Sequence, residues 1–137
     1  EELDMEDIHL NNKSLFAILN GSGSTKLKRL NIEENPDVTT MGFHELTKLK
    51  NLEALRIGVC QATDVGWKSI GKLMQLTALQ ILGSTNLTND GFENFVTELT
   101  RLKELQICFC DQLTKQFVHE TITRLTSISR VSITDID

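Results

Sequence analysis

Residues able to do chemistry are few in this chain. It has three histidines (His9, His44, His119) and three cysteines (Cys60, Cys108, Cys110) among 137 residues. Cys108-Phe109-Cys110 is half of the paired-thiol arrangement that a structural metal wants, and Cys60 is the only other thiol that could complete it. A covalent mechanism would need a serine or cysteine brought beside one of the histidines. The segment Asn20-Gly21-Ser22-Gly23-Ser24-Thr25 has the glycines of a phosphate-cradling loop but lacks the order Gly-x-x-x-x-Gly-Lys-Ser/Thr. Its Gly/Ser chemistry reads as a closing loop. Which of these groups can meet is decided by the elements that carry them.

Those elements repeat. From Leu27 the chain runs Leu-x-x-Leu-x-Ile (Leu27, Leu30, Ile32), then Asn35, then Thr39-x-x-Gly42-Phe43. The unit returns as Leu52, Leu55, Ile57, Cys60 with Thr63, Gly66 and Trp67, and again as Leu76, Leu79, Ile81, Ser84 with Thr88, Gly91 and Phe92. A fourth copy has Leu102, Leu105, Ile107, Cys110 and Thr114, with Phe117 in the place of glycine; a fifth opens with Ile128, Val131 and Ile133. A weaker copy upstream reads as Met5, Ile8 and Leu10. Alternation such as Leu55-x-Ile57 suits a short strand with one buried face. Phe43, Leu46, Leu49 and Trp67, Ile70, Leu73 are spaced for one face of a helix, and so are Phe92, Phe95, Val96, Leu99 and Val118, Ile122, Leu125. Strands recurring after helical crossovers are parallel. Each threonine precedes a helical stripe and is placed to cap it. Each glycine falls in the first helical turn, where close approach of the neighbouring unit is the expected reason. A unit of this kind cannot bury its own apolar face and must stack on copies of itself.

The steps of 24 to 26 residues between Leu30, Leu55, Leu79, Leu105 and Val131 fall in the leucine-rich-repeat range. Leu-Arg-Ile-Gly-Val-Cys (55–60) and Leu-Gln-Ile-Cys-Phe-Cys (105–110), each followed by Thr, narrow the likeness. The chain resembles the cysteine-containing leucine-rich repeats found in F-box substrate receptors of ubiquitin ligases. The resemblance covers roughly residues 5 to 137. It implies an α/β solenoid with a curved parallel sheet on the concave face and helices on the convex face. It also implies a role in protein recognition. The expected organisation is a single domain over 1–137 of about five repeats, with a weak first repeat over 3–26.

This frame keeps the reactive groups apart. His44 and His119 lie three repeats from each other. His9, read as a strand residue, is four strands from Cys108, about 19 Å at roughly 4.8 Å per strand. Cys60 and Cys110 share a ladder column two strands apart, too far for a disulfide, and read as buried packing thiols. The expectation is no catalytic residue, no metal and no cofactor. Cys108 reads as pointing to the opposite face, a free and more reactive thiol.

Fourteen basic against nineteen acidic residues leave a net charge of −5, which argues against nucleic acid as partner. No apolar run is long enough to cross a membrane. Three cysteines without a disulfide-rich cap point to a reducing compartment, the cytoplasm. Three Asn-x-Ser/Thr triplets, starting at Asn12, Asn20 and Asn86, are close to the number that chance gives for this composition.

If each unit is written L1-x2-x3-L4-x5-L6-x7-x8, positions x3, x5, x7 and x8 face out of the strand layer. The middle three repeats place Arg56, Gln80 and Gln106 at x5, Leu82 and Cys108 at x7, and Val59 and Phe109 at x8. An apolar centre with a charged periphery is the arrangement of a partner-binding surface. Arg56, Val59, Gln80, Leu82, Gln106, Cys108 and Phe109 are therefore the expected partner-binding residues. The function expected is a non-enzymatic protein–protein interaction module, the substrate-recognition part of a ubiquitin-ligase receptor or related adaptor. The alternative is a secreted or host-directed leucine-rich-repeat effector unrelated to ubiquitin. The last strand, Val131-Ser132-Ile133-Thr134, has no following helix in the sequence, which predicts either a longer natural chain or self-association through that strand edge.

Overall fold

The computed structural model describes all residues 1–137 and forms one succession of strand–helix units. Six strands, β1 (Glu2–Asp4), β2 (Arg29–Asn31), β3 (Ala54–Gly58), β4 (Ala78–Leu82), β5 (Glu104–Cys108) and β6 (Arg130–Thr134), pair in chain order as a single parallel sheet. Five helices follow the first five strands: α1 (Asn12–Leu19), α2 (Thr40–Leu46), α3 (Asp64–Ile70), α4 (Asn89–Val96) and α5 (Lys115–Ile122). The register aligns Leu30, Leu55, Leu79, Leu105 and Val131 side by side, as the repeat spacing predicts. No helix is long and apolar enough to cross a membrane.

The core lies between sheet and helices and is made from the predicted columns. Leu30, Ile32, Leu55, Ile57, Leu79, Ile81, Leu105 and Ile107 are all buried from the strand side. From the helix side come Phe43, Trp67, Phe92 and Phe95. Trp67 stands edge-on to Phe43, with ring centroids 5.0 Å apart, and stacks on Phe95 at 5.5 Å. Such pairs contribute about 0.5–1.5 kcal/mol each beyond the area they bury.

The Thr-x-x-Gly motif has a more specific cause than capping alone. At every junction, the side chain of the first helical residue reaches the capping threonine of the next repeat. Asn12 accepts from the Thr39 backbone N–H (3.0 Å) and donates to its hydroxyl (2.8 Å). Thr40 accepts from Thr63 N–H at 3.1 Å, Asp64 from Thr88 N–H at 2.9 Å and Asn89 from Thr114 N–H at 3.0 Å. The glycine three positions after that threonine makes room for that side chain. A Cβ at Gly42 would lie 2.6 Å from Asn12 Oδ1, and one at Gly91 would overlap the Asp64 carboxylate. The predicted caps hold for Thr88 and Thr114, which accept from Gly91 and Phe117 N–H. They fail for Thr39 and Thr63, which cap nothing in their own helices. The Thr39 hydroxyl is taken up by Asn12, and that of Thr63 is shared with Thr40. Where Phe117 replaces the glycine, α5 packs less closely on α4 than other neighbouring helices pack on each other.

The first repeat departs from the sequence reading. Its strand is Glu2–Asp4, with Leu3 opposite Leu30, so the true step is 27 residues rather than the 22 from Ile8. Met5 is the partner of Ile32 in the inward column, while Ile8 is 55% exposed. His9 is not on a strand; its backbone is left-handed, at φ 57°. Asn11 and Asn12 are the cap and first residue of α1. Asn20 to Thr25 close this long unit as a loop and a short 3-10 turn over Ser24–Lys26, as expected.

A second feature was not foreseen. The x8 residue after each strand is left-handed: Asp7, Glu34, Val59, Phe109 and Asp135 lie at φ 47–56°. Gly83 takes the same conformation at φ 64°. Val59 N–H still donates to Leu82 C=O (2.7 Å) and Gly83 N–H to Cys108 C=O (2.8 Å). The ladder is thus extended one residue beyond the strand before the chain turns toward the helix. Left-handed backbone costs a non-glycine residue about 1–2 kcal/mol; the stacked ladder imposes it even on β-branched Val59.

Candidate functional site: the concave strand face

Strand register brings the predicted x5 residues into one row. Arg56 pairs with Gln80, and Gln80 with Gln106. Beside this row, on the side where the strands end, lie Leu82 and Val59, both half-buried, and Phe109, 55% exposed. Six of the seven predicted residues thus share one outward surface three strands wide.

Cys108 is the exception. It was read as an exposed thiol and is buried, at 8% exposure. Its Sγ sits 2.8 Å from Thr134 Oγ1, and Gln106 Nε2 approaches it at 3.8 Å. Flanking side chains on the same face close over a residue that alternation alone places outside. Cys60 and Cys110 are buried and free, as predicted. Burial pushes both thiols up to about 11, so at neutral pH little nucleophilic thiolate forms.

At the amino-terminal end of the face sits a buried carboxylate that the sequence reading passed over. Glu33, 1% exposed, receives Arg56 Nη2 at 2.7 Å and Gln80 Nε2 at 2.8 Å. Neighbouring Asn31 donates to Glu6 (2.8 Å) and Asp4 (3.1 Å). Burial raises the Glu33 carboxyl above its ordinary value of 4.5; Arg56 acts against the shift and Glu6 adds to it. The signal available in the sequence was Glu33 at x7, two strands from Gln80 and one from Arg56. The mistaken first-repeat register hid Glu6 beside it.

The face is also hollowed. A trough of about 260 Å³ crosses β3 to β6, with Ala54 and Ala78 on its floor and Arg56, Gln80, Gln106 and Arg130 around it. Two adjoining hollows, of about 140 and 300 Å³, share Ala54 and extend past Arg29 and Lys103. Short side chains at x3, set between Arg29 and Glu104 in the same column, were the sequence sign of this trough.

One pairing elsewhere has the look of a nucleophile and base. Ser69 Oγ lies 2.8 Å from His44 Nδ1 on the convex side, between α2 and α3. The Ser69 side chain is only 2% exposed, so the bond ties two helices together and leaves the hydroxyl no approach to a substrate. No three His, Cys, Asp or Glu side chains converge as a metal would require.

No protein-family model and no curated protein sequence matches the chain. Among solved structures, it is similar to an internalin from Listeria monocytogenes, with a TM-score of 0.53 and 18% sequence identity. The match covers 99% of this chain and 42% of that one, so the chain spans less than half the length of the structure it resembles. The parallel strand–helix units, their aligned leucine columns and this likeness make the chain an α/β leucine-rich-repeat solenoid.

Proposed function

We propose that this chain is a non-enzymatic protein-recognition module that takes a partner on its concave strand face. The observation that carries the reading is the exposed Phe109. With half-buried Leu82 and Val59, it forms an apolar ridge beside the hydrogen-bonding row Arg56, Gln80 and Gln106 on a rigid sheet. Apolar anchors flanked by polar groups are the composition of interface centres. The finer form of this reading is the substrate-recognition part of a ubiquitin-ligase receptor. It rests on the resemblance of the Cys60 and Cys110 repeats to that class, and free thiols agree with a reducing, cytoplasmic setting. Self-association through the β6 edge is a further partner reading, supported by Val131, 36% exposed on that strand.

The test is affinity capture with the isolated chain, followed by partner identification and substitution. Phe109→Asp and Leu82→Asp are expected to abolish capture of the identified partner while leaving the melting temperature nearly unchanged. Retention of the partner by both variants sinks the concave-face reading. An adaptor or cullin among partners lost on Phe109→Asp supports the ubiquitin form; an exclusively extracellular partner supports the secreted alternative.

A further inference from the structure

From the trough over Ala54 and Ala78 we infer that the partner enters as an extended acidic segment, with an apolar side chain seated between two carboxylates. This rests on the protein-recognition reading and specifies its chemistry. The three hollows of the concave face converge on Ala54, and the two larger share Ala78 as well, so they adjoin one another where the strands begin. Its floor is two methyl groups, its volume suits one or two side chains, and its walls are polar. An apolar side chain removes the methyl groups from water. Gln106, whose Nε2 has only a long contact to sulfur, is free to bond a peptide backbone.

Charge fixes the flanks. The chain as a whole carries −5. Around the trough, Glu104 is engaged by Arg130 at 3.1 Å, Glu53 by Lys28 and Glu33 by Arg56, while Glu2 and Asp4 line the hollow beyond Arg29 outside any ion pair. Arg29 and Lys103, at opposite ends of the strand-start rim, have no ion-pair partner. Arg29 is on β2, and Lys103 immediately precedes β5. Three strand spacings separate them, about 14 Å. Four residues of extended chain span about 13 Å, and residues i, i+2 and i+4 of such a chain point the same way. An acidic residue, an apolar residue two places on and a second acidic residue two places further therefore match Arg29, the alanine floor and Lys103 in order.

The probe is a labelled, blocked pentapeptide, Asp-Ser-Phe-Ser-Asp, titrated by fluorescence anisotropy at low and at physiological salt. Saturable binding is expected, weakened about tenfold or more when both aspartates become lysine or when the phenylalanine becomes serine. Ala78→Gln, which fills the trough, should weaken it similarly. Arg29→Glu with Lys103→Glu should reverse the preference, so that the lysine peptide binds better, and this reversal can be read even if one variant is less stable. Equal binding of acidic and lysine peptides, or insensitivity to Ala78→Gln, overturns the inference. So does tighter, salt-sensitive binding of a single-stranded oligonucleotide of the same length. A partner lost on Phe109→Asp but unaffected by Ala78→Gln and by the double charge reversal overturns this inference alone and leaves the recognition reading intact.

Discussion

The amino-terminal two strands and the middle three share one backbone and are held by different chemistry. In the first region, Asn35 occupies the ladder position behind the strand. It accepts from Leu10 N–H at 2.8 Å and donates to the carbonyls of Met5 (2.8 Å), Glu33 (2.9 Å) and Ile32 (3.2 Å). Asn31 and Glu33 carry the same polar style onto the concave side. In the middle region the equivalent ladder positions are Cys60, Ser84 and Cys110, of which Cys110 makes one long bond to Cys108 C=O (3.4 Å) and Ser84 Oγ makes none. Packing does in the middle what directed bonds do at the end. The reason lies in the neighbours. A middle repeat is flanked by full-length repeats whose leucines seal it on both sides. The first repeat has a three-residue strand and a 27-residue step, and asparagine supplies by hydrogen bonds the order that packing cannot.

The sharpest test of this contrast is Asn35→Ala, which strands the Leu10 N–H and Met5 C=O. It should cost about 3 kcal/mol in urea unfolding, against about 1–2 kcal/mol for Cys110→Ala, which loses packing and one long thiol bond. Equal costs would erase the distinction. Next in size is Gly91→Ala, whose new methyl collides with Asp64; about 2 kcal/mol of destabilisation is expected. The collision partner is identified by a cycle: in an Asp64→Gly background, which itself weakens the Thr88 junction and removes every Asp64 side-chain atom, adding Gly91→Ala should cost markedly less than in the parent chain. Additive effects would place the strain elsewhere. Ser84→Cys should move the other way. It replaces an unsatisfied buried hydroxyl with the thiol used in the adjacent repeats, and about 1 kcal/mol of stabilisation should appear as a higher melting temperature.

The smallest effect concerns Glu33. Its carboxyl titrates above 4.5 when folded, so the folded state binds the proton more tightly than the unfolded chain. The stability this group contributes is present below pH 4.5 and is lost as pH rises through its folded value. Glu33→Gln should remove that slope, so the variant gains on the parent protein as pH rises from 4.5 toward neutrality. A variant whose stability tracks the parent in parallel across that range would show that Arg56 and Gln80 offset the desolvation of the carboxylate.

From Leu27 onward the fold was legible because two periods coexist. Leu55-x-Ile57 can face inward only as a strand, and Trp67, Ile70 and Leu73 only as a helix, and all five are buried. The first repeat was misread because Met5, Ile8 and Leu10 reproduce the spacing of a strand by coincidence. Leu10 belongs with Val38, Ala62, Leu87 and Leu113 in the column entering the helices, all buried. The candidate face was legible by column, since Arg56, Gln80 and Gln106 lie where alternation puts them. Burial within a column was not legible. Whether Cys108 is covered depends on Thr134, its lateral neighbour in the sheet, and on how Gln106, two residues back on the same strand, lies over it. The left-handed x8 column was hidden for a related reason. Its conformation is set by the ladder bond to the next strand, and Val59 and Phe109 are residues that would not choose it.

The bonds that link each helix start to the next repeat have a direction. Asn12 serves Thr39, Thr40 serves Thr63, Asp64 serves Thr88 and Asn89 serves Thr114; in each case the earlier residue supplies the later one. A repeat losing its successor keeps the partner for its own threonine amide, whereas one losing its predecessor is left with a bare amide at the mouth of its helix. Order in this solenoid is therefore vectorial. As the chain emerges from the ribosome, each completed repeat presents the acceptor that the next one needs, and the structure can grow in the direction of synthesis without waiting for its end.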